Sequence, residues 1–179
     1  MHKEYELLKV DLGCGRYKVA GTIGVDQSAE VGADIVVDFM ENDLPFESNT
    51  VEVVYCMQVL EHIDDIFTLM NKIHRVLHST GRLIVEVPYW SSEGAFRDPT
   101  HVRFFSEKSF DYWDPKCECN YYADSAPFKV DKVEYIINQR PQARLLKQLF
   151  GIRGLKAFNN MIVGLHFELI PVKGEQSVE

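Results

Sequence analysis

The chain has 179 residues, of which 46% are hydrophobic and 26% are charged, a composition typical of a folded globular protein. Its formal net charge of −8 argues against a polyanionic partner, so no nucleic acid is expected to bind. No apolar run reaches the roughly 18 residues that a membrane span requires. Charged residues lead directly into the first apolar run, without the character of a signal peptide. We therefore expect a cytoplasmic protein.

The first half of the chain contains short runs rich in Val, Ile and Leu, at residues 7–12, 23–26, 35–38, 51–56 and 82–87. Near-continuous apolar runs indicate strands that are covered on both faces, as in a parallel sheet. One clear helix is predicted at residues 64–78, where apolar side chains recur every three to four positions. Gly81 is expected to end this helix before the next strand.

Two further apolar runs, at residues 128–138 and 161–172, are expected to complete the sheet. This order predicts an α/β fold: a single Rossmann-like, doubly wound sheet that is mostly parallel, with the last strand antiparallel and helices on both faces. We predict one domain over residues 1–179, with a cofactor-binding half at 1–88 and an acceptor-side half at 89–179.

The loop after the first strand reads Val-Asp-Leu-Gly-Cys-Gly at residues 10–15. Glycine has no Cβ, so the backbone there can approach a ligand closely; a tight turn without a ligand is the alternative. Asp26 ends the second strand, where a carboxylate can accept hydrogen bonds from ribose hydroxyls. Asp38 and Phe39 end the third strand and suit the amino group and ring face of an adenine.

Further motifs follow in the order Leu-Pro-Phe at 44–46, Val-Leu-Glu-His-Ile at 59–63 and Val-Glu-Val-Pro at 85–88. Over residues 7–90 the ordered set resembles the class I S-adenosylmethionine-dependent methyltransferases. The resemblance implies that S-adenosylmethionine is the cofactor and S-adenosylhomocysteine the product. It assigns the methionine end to Asp11, Gly13 and Gly15, the ribose to Asp26, the adenine to Asp38 and Phe39, the sulfonium region to Met57 and Gln58, and further cofactor contact to Cys14 and Gln27.

The sequence also departs from the usual pattern of that family. Residues 16–22 and 27–34 are too short for the helices that commonly follow the first two strands. We therefore expect these first helices to be shortened, and Arg16 or Lys18 to supply positive charge near the methionine carboxylate. The abbreviated form resembles a bacterial group that is often linked to glycan and surface-polysaccharide pathways.

The acceptor is expected at the carboxyl ends of the strands, beneath the segment 88–113. His101 is the first candidate for the catalytic base, because imidazole titrates near neutral pH. Asp98 is expected to orient His101; alternatively, both residues only tie the loop together through turn and capping bonds. His62 is the second candidate.

These residues predict transfer of a methyl group to a hydroxyl or amine of a small molecule, with a sugar or glycan as the favoured acceptor. Polyamine synthesis from decarboxylated cofactor is disfavoured, since no acidic acceptor motif follows the fourth strand. A non-catalytic module that binds S-adenosylmethionine, or acts as a scaffold, is the alternative from another class.

The four cysteines are expected to be free thiols. Cys117 and Cys119 lack a second pair at zinc-ligand spacing, so no metal site is predicted. Within residues 139–158 the charged side chains are all basic and alternate with apolar ones. This predicts an inserted amphipathic segment, broken near Gly151 and Gly154. Packing on the domain itself is favoured, with a homodimer contact or a peripheral membrane contact as alternatives.

Overall fold

The computed structural model describes residues 7–121 and 125–174. Its centre is a seven-stranded sheet in the order β3-β2-β1-β4-β5-β7-β6. The strands are β1 (Leu8–Leu12), β2 (Ile23–Asp26), β3 (Ile35–Val36), β4 (Val51–Met57), β5 (Leu77–Pro88), β6 (Phe128–Ile137) and β7 (Ile162–Pro171). Strands β1 to β5 pair in parallel, whereas β7 runs antiparallel between β5 and β6. The predicted Rossmann-like α/β fold with an antiparallel last strand is confirmed.

Helix α1 (Ile66–Val76) supplies much of the core beside β4 and β5. Asp65 caps it, because one carboxylate oxygen accepts a hydrogen bond from the Thr68 amide at 3.0 Å. The prediction that Gly81 ends this helix is wrong. The helix ends at Val76 and β5 begins at the next residue, so Gly81 lies inside the strand. A Cβ at Gly81 would lie 2.9 Å from the Glu52 carbonyl oxygen, so the close approach of β4 explains this glycine.

The connections after the first two strands are short, as predicted. Turns without a helix join β1 to β2, and a single 3₁₀ turn at Ala29–Val31 joins β2 to β3. The Lys18 ammonium donates to the Asp34 carboxylate at 2.7 Å. The Lys18 charge is therefore paired at the start of β3. Of the two residues expected to supply positive charge near the methionine carboxylate, Arg16 is the better candidate.

Helix α2 (Glu93–Arg97) follows β5, and α3 (Pro141–Lys156) connects β6 to β7. The predicted break in this inserted segment is confirmed at Gly151, whose backbone is not helical. Two side chains of α3 are buried, Ala143 and Leu155, in agreement with packing on the domain itself. The same helix leaves other large apolar side chains exposed, at Leu145, Leu149 and Phe150.

The expectation of four free thiols is wrong for one pair. Cys117 and Cys119 form a disulfide, whereas Cys14 and Cys56 are free and buried. The turn that holds the pair brings their Cα atoms to 5.1 Å, within the range that a disulfide requires. Among the described residues, no helix is long and apolar enough to cross a membrane.

Candidate active site

A cavity of about 250 Å³ opens at the carboxyl ends of β1, β2 and β4. Its lining comprises Gly13, Asp26, Gln27, Asp38, Phe39, Met40, Gln58, Val59, His62 and Ile63. Residues from three predicted motifs are thus brought together at the sheet edge where ligands of doubly wound folds bind. The predicted residues Gly13, Asp26, Gln27, Asp38, Phe39 and Gln58 are among them.

Gly13 allows the backbone to form the floor of this cavity. Its φ of +70° lies in the left-handed region, and its amide donates to the Val25 carbonyl at 2.8 Å. A Cβ at this position would come within 2.6 Å of Val59 Cγ2. Glycine is therefore required both by the backbone conformation and by the space.

The Asp26 carboxylate is held in place by two backbone amides. Oδ2 accepts a hydrogen bond from the Gly15 amide and Oδ1 accepts one from the Ser28 amide, each at 2.9 Å. A carboxylate has about four lone-pair sites, so both oxygens can still accept from a ligand. The arrangement is a fixed acceptor for hydroxyl groups in the cavity.

Asp38 and Phe39 line the same cavity after β3. Strand β3 ends at Val36, two residues earlier than predicted, and Asp38 begins a turn instead. In this turn Asp38 Oδ1 accepts hydrogen bonds from the Met40 and Glu41 amides at 2.9 and 3.3 Å. The buried Phe39 ring adds an apolar surface beside the carboxylate.

Four of the predicted cofactor residues are not part of the cavity lining, namely Asp11, Cys14, Gly15 and Met57. Asp11 lies beneath the loop, where its Oδ2 accepts from the Val19 amide at 2.8 Å. Its Oδ1 has no hydrogen-bond partner among the described residues, and burial raises the pKa of this carboxyl. Gly15 acts through its bond to Asp26.

Gln58 follows β4 and has a φ of +59°, which is unusual for a residue other than glycine. Its amide donates to the Glu86 carbonyl at 2.8 Å, which secures this conformation against β5. Such strain is concentrated at functional sites. The sharp turn after Gln58 also brings the predicted candidate His62 into the cavity, together with Val59 and Ile63, which were not predicted as site residues.

A second cavity, of about 440 Å³, lies next to the first. Its lining comprises Gln58, Glu61, His62, Pro88, Gly94, Arg97, Asp98, Pro99, His101 and Val163. Gln58 and His62 line both cavities. The predicted catalytic residues His62, Asp98 and His101 therefore all border the space that adjoins the candidate cofactor cavity.

Three hydrogen bonds attach the segment after α2 to the turn after β4. The Arg103 guanidinium donates to the Ile63 and Asp64 carbonyls at 2.8 and 2.7 Å. The Val102 amide donates to the Glu61 carbonyl at 2.9 Å. These bonds hold the loop that carries His101 against the turn that carries His62.

The prediction that Asp98 orients the His101 ring is wrong. Asp98 Oδ1 instead accepts from the Thr100 hydroxyl at 2.7 Å, and the Thr100 oxygen bonds His62 Nδ1 at 2.8 Å. His101 Nδ1 is bonded to the Ala95 carbonyl at 3.0 Å. Asp98 therefore orients His62 through the Thr100 hydroxyl, which bonds both side chains. His62 is the more distant of the two histidines in the sequence.

Glu61 is the residue of this site that the sequence pattern missed as a candidate. Only 1% of its surface is exposed, and neither carboxylate oxygen has a hydrogen-bond partner among the described residues. Burial raises the pKa of Glu61 to about 7, against the opposing effect of the nearby His101. The burial of Glu61 results from the packing of the Leu-Glu-His turn in the folded chain. The sequence motif alone therefore does not indicate that this carboxylate is buried.

Comparison with known proteins agrees with this geometry. Residues 5–85 match the family model described as a methyltransferase domain. An S-adenosylmethionine-dependent methyltransferase from Archaeoglobus fulgidus superposes with a TM-score of 0.59 at 18% identity, covering 92% of this chain and 87% of that one. Phosphoethanolamine N-methyltransferase 2 from Haemonchus contortus, in complex with S-adenosyl-L-methionine, superposes with a TM-score of 0.61 at 16% identity, covering 96% of this chain and 50% of that one.

A curated relative, the uncharacterized protein MJ0638 of Methanocaldococcus jannaschii, is 48% identical over 44 residues. The match covers 25% of this chain and 19% of that protein, so it spans about a fifth of the relative's length. Residues 5–85 match a methyltransferase domain, and the chain shares the fold of S-adenosylmethionine-dependent methyltransferases.

S-adenosyl-L-methionine is bound in the Haemonchus contortus structure, and the residues of the first cavity fit it. Gly13 leaves a recess that a Cβ would fill. The oriented Asp26 carboxylate matches the two ribose hydroxyls, which are hydrogen-bond donors. Asp38 beside Phe39 offers an acceptor and an apolar surface to an adenine.

Proposed function

We propose that this protein transfers a methyl group from S-adenosylmethionine to a hydroxyl or amine of a small molecule, with a sugar or glycan as the favoured acceptor. The observation that carries the proposal is the shared border of the two cavities. Gln58 and His62 line both of them, so a cofactor in the first and an acceptor in the second would meet at these side chains. In-line approach at such a border is the main requirement of methyl transfer.

In this proposal Asp26 binds the ribose and Asp38 with Phe39 binds the adenine. Gly13 gives the methionine portion close access to the backbone, while Gln58 lies beside the sulfonium. The cofactor supplies an electrophilic methyl group. The chain orients the two reactants, excludes water and removes one proton from the acceptor.

His101 is proposed to accept that proton. Its Nδ1 must donate to the Ala95 carbonyl, because a carbonyl oxygen can only accept. The neutral ring therefore carries its lone pair on Nε2, and His101 lines the acceptor cavity. This is the protonation state that a general base needs before reaction.

Two features support a hydroxyl-rich acceptor such as a sugar. Arg97 and Asp98 contribute charged hydrogen-bonding groups to the lining of the second cavity. Next to Arg97, Phe96 stacks on Phe104 with ring centroids 4.5 Å apart, and both rings are exposed. An exposed aromatic pair beside polar groups suits the apolar face and the hydroxyls of a sugar ring.

We also propose that α3 makes a peripheral contact with an anionic membrane surface, where a lipid-linked acceptor would be found. Leu145, Leu149 and Phe150 are exposed on this helix, and it carries cations including Lys147 and Arg153. Exposed apolar side chains and cations are the groups through which a helix can bind an anionic interface. A homodimer through the same face is the alternative outcome.

The proposed activity is tested by incubating the full chain with S-adenosylmethionine and a panel of sugars, alcohols and amines. We expect S-adenosylhomocysteine and a methylated product in equal amounts, with the fastest turnover on a hydroxyl-bearing acceptor. Cofactor binding without any turnover across the panel would instead favour a non-catalytic module.

A further inference from the structure

Three potential metal ligands converge at the border of the two cavities. Glu61, His62 and His101 each offer one ligand atom, and these atoms all lie within 4.8 Å of one another. All three residues line the second cavity. Since the ligands come from two separated segments, no ligand spacing in the sequence indicated them.

The hydrogen bonds around the two histidines fix their tautomers. The Thr100 hydroxyl has one proton and donates it to Asp98, so its oxygen must accept from His62 Nδ1. His101 Nδ1 donates to the Ala95 carbonyl. Both neutral rings therefore carry their lone pair on Nε2, the arrangement by which carbonyl and carboxylate groups orient metal-binding histidines.

Glu61 adds a buried carboxylate that faces the same space. It is 1% exposed and both oxygens lack a partner among the described residues. A buried carboxylate without a partner is costly, and a bound cation would compensate it. The Nε2 atoms of His62 and His101 and the Glu61 carboxylate are all electron-pair donors. Together they form a site that suits a cation.

We propose that Glu61, His62 and His101 bind a divalent transition-metal ion. Two imidazoles with one carboxylate suit zinc, cobalt or iron rather than the all-oxygen sites of magnesium or calcium. Ligands about 2.1 Å from a tetrahedral ion are roughly 3.4 Å apart, so the three side chains draw together when it binds. Three protein ligands leave at least one coordination position open towards the acceptor cavity.

The inference goes beyond the proposed methyl transfer and can be tested without it. In the metal-free chain His101 Nε2 is available as the proton acceptor. In the metal-bound chain that nitrogen is a ligand, and the ion itself favours deprotonation of a coordinated acceptor hydroxyl, whose proton passes to solvent. Chelation then changes the turnover rate without preventing S-adenosylmethionine from binding.

The test uses the full chain, stripped of metal by a chelator and titrated with Zn²⁺ or Co²⁺ in a calorimeter without cofactor. We expect about one ion per chain, and a cobalt absorption spectrum typical of mixed nitrogen and oxygen ligands. Glu61→Gln, which keeps the side-chain volume, and His101→Ala should each weaken binding by roughly tenfold or more. The control Glu86→Gln alters a carboxylate that pairs with His166 on β7 and should bind as the unaltered chain does.

Absence of zinc and cobalt binding to the unaltered chain would overturn the proposal. Unchanged affinity in both Glu61→Gln and His101→Ala would also overturn it, because the ion would then lie elsewhere. Should Glu61→Gln fold poorly, His62→Ala provides the second variant, since His62 is exposed at the edge of the cluster. Metal binding with no methyl transfer to any acceptor would contradict the proposed activity but support the site.

Discussion

The imidazole rings of His62 and His101 meet edge to face, with their centroids 4.7 Å apart. One ring follows β4 and the other belongs to the loop after α2, so the contact joins two segments that are distant in the sequence. Arg103 maintains it by bonding the carbonyls after His62. The contact creates the border at which the proposed reaction takes place.

If His101 accepts the proton, His101→Ala should lower turnover by about 10²–10⁴-fold while cofactor affinity stays nearly constant. Steady-state kinetics and calorimetry with S-adenosylhomocysteine measure the two quantities separately. His78→Ala is the matched control, because His78 lies at the start of β5 outside both cavities. Unchanged turnover on the true acceptor would return His101 to a structural role in the loop.

If Asp26 binds the ribose, Asp26→Ala should weaken binding of S-adenosylmethionine by about 1.5–3 kcal/mol, since charge-assisted hydrogen bonds are lost. Calorimetry at constant pH measures the change, and a melting curve checks that the loop held by Asp26 remains folded. Asp131→Ala serves as control: its carboxylate pairs with Arg82 on the sheet surface at 2.7 Å. Equal affinity in the Asp26 variant and the unaltered chain would refute the assignment of the ribose.

Gly13→Ala tests the close approach of the first loop. The substitution introduces strain of roughly 1–2 kcal/mol at positive φ and a clash with Val59 that costs roughly 1–3 kcal/mol more. Gly21→Ala is the control, since Gly21 also has positive φ but no atom lies within 4 Å of its added Cβ. Chemical denaturation should show the larger loss for Gly13→Ala. Equal losses of unfolding free energy in Gly13→Ala and Gly21→Ala would mean that Val59 can move to make room for the added Cβ.

His74 should contribute to the pH dependence of stability. Burial, assisted by the charge of Lys173, lowers the pKa of His74 from its ordinary value of 6.5. As the pH falls through 6.5, His74 therefore takes up a proton more readily in the unfolded chain than in the folded one. The free energy of unfolding decreases as a result. Denaturation at about pH 7.5 and about pH 5 should show a smaller pH effect in His74→Gln than in His78→Gln. Identical pH effects in the two variants would contradict this.

If α3 contacts membranes, the protein should sediment with anionic vesicles at low salt and dissociate as salt increases. Each cation near an anionic surface contributes on the order of 1 kcal/mol, so replacing Arg144, Lys147 and Arg153 with Gln should abolish the weak association. Lys156 is excluded from this set because it already pairs with Glu107. No sedimentation at low salt would reject the membrane contact, and a mass that rises with concentration in light scattering would then favour the homodimer.

The sequence predicted those parts of the fold that depend on local patterns. Runs of Val and Ile identified the strands, and the glycine-rich turn with Asp26 and Asp38 located the candidate cofactor cavity at the carboxyl ends of these strands. The end of α1 was misplaced because Gly81 serves the packing of β4 against β5 rather than a helix terminus. The bond from Thr100 to His62 and the burial of Glu61 depend on contacts between distant segments, which no local pattern contains.

The stoichiometry of methyl transfer by the full chain tests the proposed activity most directly. Mass spectrometry would follow S-adenosylhomocysteine and methylated product over time, with the acceptor panel and with the His101→Ala variant. We expect one methylated product for each S-adenosylhomocysteine formed, dependent on an acceptor and greatly reduced by His101→Ala. No detectable binding of S-adenosylmethionine or S-adenosylhomocysteine at high concentration, together with no methylated product, would contradict it.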